Sequence, residues 1–283
     1  MQFPRGPSTI KLGDLEVRRL GFGAMRLPGP GVWGEPADPD QARAVLRRAV
    51  ELGVQLIDTA WYYGPEVSNR LIAEALHPYP DDLVIATKLG AYRSPDKGWH
   101  SYHRPEDLRA GIDKDLAGLR KEQLQLVHLR WMPGIPVPFL DALDALIAEQ
   151  ARGRIRHIAL SNVTVAELEL ALTRTPIVAV QNLLVAAGDA PRLGPAASHP
   201  DGAEMLAACE SRGIAFLPFF PLAMGALGRP DSALAADAAR LGCTTAQAAI
   251  ASLLARSPVM LPIPGTSKLA HLEENIRAAD IAF

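Results

Sequence analysis

The sequence predicts an α/β protein, a single (β/α)₈ TIM barrel over residues 1–283 that opens with an N-terminal β-hairpin. Three observations predict it. The length of 283 residues is close to the ~250 of one complete barrel. Short apolar runs rich in β-branched residues alternate eight times with segments of helical periodicity. No linker or change of composition interrupts them, and repeated strand-then-helix units build a parallel sheet covered by helices.

In Ile10–Val17, Gly13-Asp14 separates two short alternating runs, the pattern of a hairpin. Strands are expected at Leu20–Met25, Gln55–Ala60, Leu83–Lys88, Leu124–Arg130, Ile155–Ser161, Ile177–Asn182, Ile214–Phe220 and Val259–Pro264. Between the first two, Asp40–Leu52 carries an apolar stripe of Ala44, Val45, Leu46, Ala49 and Val50. Further helices are expected over Glu66–Leu76, Pro105–Leu119, Phe139–Ala151, Val165–Leu172, Gly202–Arg212, Ala233–Leu241, Thr244–Ala255 and Lys268–Ala279. Thr164 with Glu167 has capping-box spacing. Ser101 or His103 leads into Arg104-Pro105-Glu106-Asp107, with proline and acids in a first turn. An open doubly wound sheet would place a Gly-rich phosphate loop after its first strand, but Gly21-Phe22-Gly23-Ala24-Met25-Arg26 lacks the third glycine. Pro28–Asp40 and Gly188–Asp201 read as loops at the C-terminal mouth, where barrels carry their active sites.

Composition narrows the function. Hydrophobic residues make up 48% of the chain and charged residues 21%, with a net charge of −2, so no global field recruits nucleic acid or an anionic membrane. Cys209 and Cys243 belong to no CxxC or Cys/His cluster and read as buried small hydrophobes, so no metal site is expected. The N-terminal MQFPRGPSTI has no apolar stretch of signal-peptide length, and no run of ~18 apolar residues occurs. A soluble, cytoplasmic protein is expected; the oligomeric state stays open.

Polar residues that finish buried apolar strands need a reason. Here they are Asp58 with Tyr63 just beyond it, Lys88, Arg130, Ser161-Asn162 and Gln181-Asn182. Together they place an acid, a phenol and two cations at one end of one barrel, a candidate active site.

These residues resemble a known family. Leu56-Ile57-Asp58-Thr59-Ala60-Trp61-Tyr62-Tyr63-Gly64 is similar to the aldo-keto reductase signature, and Ile85-Ala86-Thr87-Lys88 to that family's lysine strand. Leu160-Ser161-Asn162-Val163, Val180-Gln181-Asn182 and Ile263-Pro264-Gly265-Thr266-Ser267-Lys268 with Glu274-Asn275 follow in the family's order. Pro218-Phe219-Phe220-Pro221-Leu222 and Ala270-His271-Leu272 resemble its bacterial pyridoxal reductase branch. The resemblance implies reduction of a small-molecule aldehyde or ketone, pyridoxal-like in that branch, by hydride from NADPH.

The chemistry is consistent with that implication. Carbonyl reduction needs hydride at carbon and a proton at oxygen. Tyr63 is the expected general acid, Lys88 the cation expected to lower its pKa, and Asp58 the partner that keeps Lys88 charged. Ser161, Asn162 and Gln181 are expected to hold the nicotinamide carboxamide, and Phe219 to face its ring. Gly265, Thr266 and Ser267 open the last helix and suit phosphate. Lys268 and His271 face a ribose 2′-phosphate, and Asn275 the adenine. Gly23, Ala24, Met25, Asp58, Pro221, Leu222, Gly225 and Glu274 complete the implied cofactor contacts. Trp33, Trp61, Tyr63 and Trp131 are the expected substrate pocket, with Met224 a further mouth-loop candidate.

The chain departs from the family pattern once. Arg130, not His128, occupies the position usually given to histidine, and both should point to one face of the strand with Arg130 nearer the mouth. Arginine cannot be a practical proton donor but can stabilise developing negative charge on oxygen. Two alternatives share the fold: a cofactor-binding regulatory protein with little turnover, and a barrel doing unrelated lyase or isomerase chemistry.

Overall fold

Thr9–Leu12 (β1) and Leu15–Arg18 (β2) pair antiparallel across Gly13-Asp14, with Leu12 opposite Leu15. This computed structural model describes residues 8–131, 134–187, 200–219, 221–222, 227 and 233–283. Gly13 has a left-handed φ of 68°, and a Cβ there would lie 2.4 Å from the His157 ring. Beside it Asp14 binds His157 at 2.5 Å and pairs with Arg156. The hairpin is therefore seated against the main sheet by a glycine, an acid and two basic partners.

The main sheet is parallel and curled. Its strands are Phe22–Gly23 (β3), Leu56–Asp58 (β4), Val84–Arg93 (β5), Leu124–Arg130 (β7), Ile155–Ser161 (β8), Ala179–Gln181 (β9) and Ala215–Phe216 (β10). They lie in the order β10-β9-β8-β7-β5-β4-β3. Residues 259–264 lie between the two ends of this order. Phe216 N donates to Val259 O at 2.8 Å and Leu261 N to Phe216 O at 2.9 Å, while Gly21 N reaches Pro262 O at 2.9 Å and Gly23 N reaches Pro264 O at 3.3 Å. The expected strand Val259–Pro264 forms only the bridge Phe216–Met260. Pro262 and Pro264 have no N–H to give a ladder. The expected strand Leu20–Met25 shrinks to β3 because Ala24–Arg26 turns into a 3₁₀ segment.

Helices cover the outside of the sheet. Pro39–Glu51 (α1) is capped by Asp38, which accepts from Gln41 N, and buries Val45, Leu46 and Ala49. Val67–Leu76 (α2), Pro105–Leu119 (α3), Phe139–Ala151 (α4) and Val165–Leu172 (α5) follow. The Thr164–Glu167 capping box forms as its spacing predicts. Gly202–Glu210 (α6), Ala235–Leu241 (α7), Thr245–Arg256 (α8) and Leu269–Arg277 (α9) complete the layer. Among the described residues no helix is long and apolar enough to cross a membrane.

One element is absent from the sequence reading. The third strand does not stop at Lys88 but runs on to Arg93 and pairs antiparallel with Trp99–Tyr102 (β6). Gly90 lets it bend: its φ is 108°, and a Cβ there would lie 2.4 Å from Arg130 O. Ser101 thus lies within a strand rather than before a helix, and Arg104 is the residue that precedes α3.

Candidate active site

Alternation along the strands decides which side chains meet. Leu56, Val84, Ala86, Leu126, Ala159 and Ala179 share one buried cluster with Leu12 and Val17 of the hairpin. Two residues further along the same faces come Asp58, Lys88, His128, Ser161 and Gln181, and Arg130 ends β7 beyond His128. One set of inward positions is apolar at the start of the strands and polar at their ends.

Asp58 and Lys88 meet as a buried ion pair. Lys88 Nζ lies 2.5 Å from Asp58 Oδ2 and 3.2 Å from Thr59 O, and Gln181 Nε2 donates to Asp58 Oδ1 at 2.8 Å. Desolvating two charges is costly, so such a pair persists only where each partner is also hydrogen-bonded elsewhere, as both are here.

Tyr63 is buried on the loop after β4, with Lys88 Nζ 5.1 Å from its ring centroid. The sequence reading expected Lys88 to lower its pKa. In the structure the phenol is instead pushed well above its ordinary value, first by burial and then by the charge of Asp58, while Arg130 acts the other way. Tyr63 is therefore fully protonated at neutral pH, the state a proton donor must hold.

His128 and Arg130 are ordered along β7 as their spacing predicts. His128 is fully buried, with its Cα opposite Lys88 on β5 and Ala159 on β8. Its Nδ1 lies 3.3 Å from Thr87 O and its Nε2 has no partner. Burial, the largest cause, holds its pKa down at about 4, so the ring is neutral at pH 7. Arg130 is half-buried at the strand end, its Cζ 6.0 Å from the Trp99 ring. His103 Nε2 donates to the Arg130 carbonyl at 2.6 Å, which leaves Nδ1 to accept from Ser101 Oγ at 2.8 Å. Burial also lowers the His103 pKa, to about 4.

Ser161 and Gln181 are Cα partners across β8 and β9, both buried. Gln181, expected on a carboxamide, spends its Nε2 on Asp58. Asn162 takes a left-handed φ of 60° and donates Nδ2 to Trp131 O at 2.8 Å. Asn182 latches Val163 through both its backbone N–H and C=O. Phe219 N donates to Asn182 O at 3.1 Å, and Phe219 and Leu222 pack against Leu183, Val185, Leu227 and Leu234, with Pro221 buried nearby. Gly225 and Met224 lie outside the described residues.

The last helix starts later than expected. α9 begins at Leu269 with Lys268 as its N-cap, so Gly265, Thr266 and Ser267 form the loop before it. Gly23 and Gly265 bring that loop against the end of β3, beside Ala24 and Met25: a Cβ on Gly265 would lie 2.4 Å from Gly23 O. Thr266 Oγ1 accepts from Lys268 N at 3.1 Å. No side chain caps α9; Lys268 at its N-cap and His271 on its first turn are exposed. Asn275 is buried one turn on, and Glu274 accepts from Thr244 Oγ1 at 2.5 Å.

The aromatic residues divide. Trp131 is buried, edge-on to His103 and Phe139 with centroids 5.1 and 5.2 Å away. Trp33 is half-buried and faces Arg93 at 5.4 Å. Trp61, expected in the pocket wall, packs outward instead: Lys114 of α3 lies 4.8 Å over its ring, and a Cβ on Gly111 would meet its Nε1 at 3.1 Å. The sequence reading missed Trp99, 46% exposed at the mouth, with Tyr62 5.8 Å and Arg93 4.3 Å away. Its only signal was a large aromatic in a turn of Ser, Pro, Asp, Lys and Gly.

The chain belongs to the aldo/keto reductase family, whose pattern it matches over residues 19–283, and it is an oxidoreductase of carbonyl-reducing type. It is 44% identical over 276 residues to the pyridoxine 4-dehydrogenase of Escherichia coli, covering 96% of this chain and 92% of that one. It is 43% identical over 273 residues to an uncharacterised oxidoreductase of Schizosaccharomyces pombe, with 96% and 85% covered. Among solved structures, a thermostable aldo-keto reductase crystallised with the inhibitor epalrestat superposes with a TM-score of 0.80 at 26% identity, covering 97% and 95%. An aldo/keto reductase of Klebsiella pneumoniae in complex with NADP and acetate gives 0.77 at 24%, covering 98% and 91%.

Proposed function

We propose that the protein reduces an aldehyde of pyridoxal type to its alcohol with NADPH, and that Tyr63 protonates the carbonyl oxygen. The observation that carries the reading is the buried Asp58–Lys88 pair beneath a protonated Tyr63. The reading includes one closed (β/α)₈ barrel, with residues 259–264 as the eighth stave. The E. coli relative adds the substrate class.

The residues present fit a dinucleotide. Ser161, Asn162 and Gln181 place polar side chains at buried strand ends, and the uncapped first turn of α9 presents backbone N–H groups beside exposed Lys268 and His271. The cofactor would supply the hydride. Lys88 Nζ lies beside Tyr63, where it stabilises negative charge left on the phenol oxygen, and Asp58 holds Lys88 in place. Arg130 stabilises charge developing on the substrate oxygen and can hold a second acceptor beside the carbonyl.

Two results are expected. NADPH binds at least tenfold tighter than NADH in a fluorescence titration, because Lys268 and His271 meet the 2′-phosphate. Tenfold is about 1.4 kcal/mol, a modest demand on charge-assisted hydrogen bonds. Equal affinities refute the assignment of these two residues. Arg130→Met lowers kcat strongly, and more for pyridoxal, which has an acceptor beside its carbonyl, than for a plain aldehyde. If His128→Ala abolishes turnover while Arg130→Met leaves it intact, His128 assists the carbonyl and Arg130 does not.

A further inference from the structure

Asp115 is a fully buried carboxyl group to which the reaction assigns no task. It lies on α3, in the helix layer, outside the strands that carry the site. The residues that link it to the site follow from strand alternation. Asp58 and Lys88 face inward, so the next residue of one, Thr59, and the preceding residue of the other, Thr87, face the helices. Both threonines are fully buried there. Thr59 Oγ1 donates to Asn69 Oδ1 at 2.9 Å, and Asn69 Nδ2 donates to Asp115 Oδ1 at 2.7 Å. Thr59 also offers its carbonyl to Lys88 Nζ at 3.2 Å. One continuous hydrogen-bonded path thus runs from α3 through α2 to the ammonium of Lys88. The Thr87 hydroxyl and the Trp61 backbone also act on the Asp115 carboxyl as hydrogen-bonding neighbours. Removing the carboxyl would leave the buried Asn69 Nδ2 without its acceptor, at a cost of about 1–3 kcal/mol.

We infer that Asp115 is a positioning residue for the reduction: through Asn69 and Thr59 it holds the strand end and loop that carry Asp58 and Tyr63 against Lys88. The inference rests on the roles given above to Lys88 and Tyr63. The neighbours of Asp115 are consistent with a neutral carboxyl. Asn69 faces it from α2, Thr87 from β5 and Trp61 from the loop after β4, and Lys88 is the charged group that acts on it. On α3 itself Arg109 and Asp113 turn away, to Glu149 and Arg154. Burial, the largest cause, pushes the carboxyl up to about 7. An amide keeps an oxygen that can accept from Asn69 Nδ2, and a leucine of similar size does not.

The test compares Asp115→Asn, Asp115→Leu, Thr59→Val and Lys88→Met as purified full-length chains. Turnover with saturating NADPH and pyridoxal, NADPH affinity, melting temperature, and hydrogen exchange of the peptide spanning 57–64 are measured for each. Asp115→Leu is expected to lose at least tenfold in kcat per folded molecule, with NADPH affinity within threefold, and to exchange faster over 57–64. Asp115→Asn is expected to restore kcat to within threefold and to restore slow exchange. Thr59→Val breaks the same path at its other end and is expected to lose kcat in the same sense. If Asp115→Leu does not fold, Thr59→Val decides alone. Wild-type kcat in a folded Asp115→Leu or in Thr59→Val overturns the inference while an inactive Lys88→Met leaves the reading of the pair standing. A fully active Lys88→Met overturns that reading and the inference with it.

Discussion

Tyr63→Phe is expected to reduce turnover by about 10²–10⁴-fold while leaving NADPH affinity within a factor of two. Only a hydroxyl is lost, and the ring keeps its place under Tyr62, edge-on at 5.4 Å. In steady-state assays with a fluorescence titration alongside, kcat falls and Kd does not. A variant that keeps more than a tenth of wild-type activity refutes Tyr63 as the donor. The burial that pushes the phenol above its ordinary range also fixes the pH behaviour. Loss of the Tyr63 proton should not limit kcat anywhere between pH 6 and 9.

Lys88→Met is expected to be damaging twice. It removes the cation beside Tyr63 and leaves Asp58 buried with Gln181 as its remaining side-chain donor. Breaking a buried pair from one side costs roughly 3–5 kcal/mol of stability, because the surviving charge is uncompensated. Asp58→Asn in the same chain removes that stranded charge. The double variant should therefore regain most of the lost stability in denaturant melts and none of the lost kcat. Recovery of both together would mean that the pair serves the fold and not the reaction.

Much of this arrangement was legible in the sequence, and the legible parts share a physical cause. Helices whose start is marked by proline with acids in the first turn, as at Pro105–Leu119, or by a capping box, as at Val165–Leu172, begin and end where the pattern says. Strand polarity was equally readable: a buried strand that turns polar at Asp58, Lys88 or Arg130 violates its own apolar rule, and those violations meet on one side of the sheet. What was illegible depends on contacts distant in sequence. The β5–β6 hairpin needs Gly90 to bend against Arg130 O, and nothing near Gly90 in sequence reports that neighbour. Trp61 sits in the signature loop, but its ring lies against α3, where a Cβ on Gly111 would crowd it. The phenol of Tyr63 carries no mark of its burial in its neighbours along the chain, so the sign of its pKa shift was missed. Residues 259–264 read as a strand by apolar content, while Pro262 and Pro264 limit the ladder they can form.

The most direct measurement uses NADPH labelled with deuterium at its transferable position, mixed with the wild-type protein and pyridoxal in a single turnover. Mass spectrometry then locates the label. The expected product is the alcohol with one deuterium on its carbinol carbon, formed in step with cofactor oxidation and absent from Tyr63→Phe over the same interval. Tight NADPH binding with no labelled alcohol from pyridoxal or any aldehyde in a broad panel would contradict the assignment, and would make the chain a cofactor-binding protein on a reductase fold.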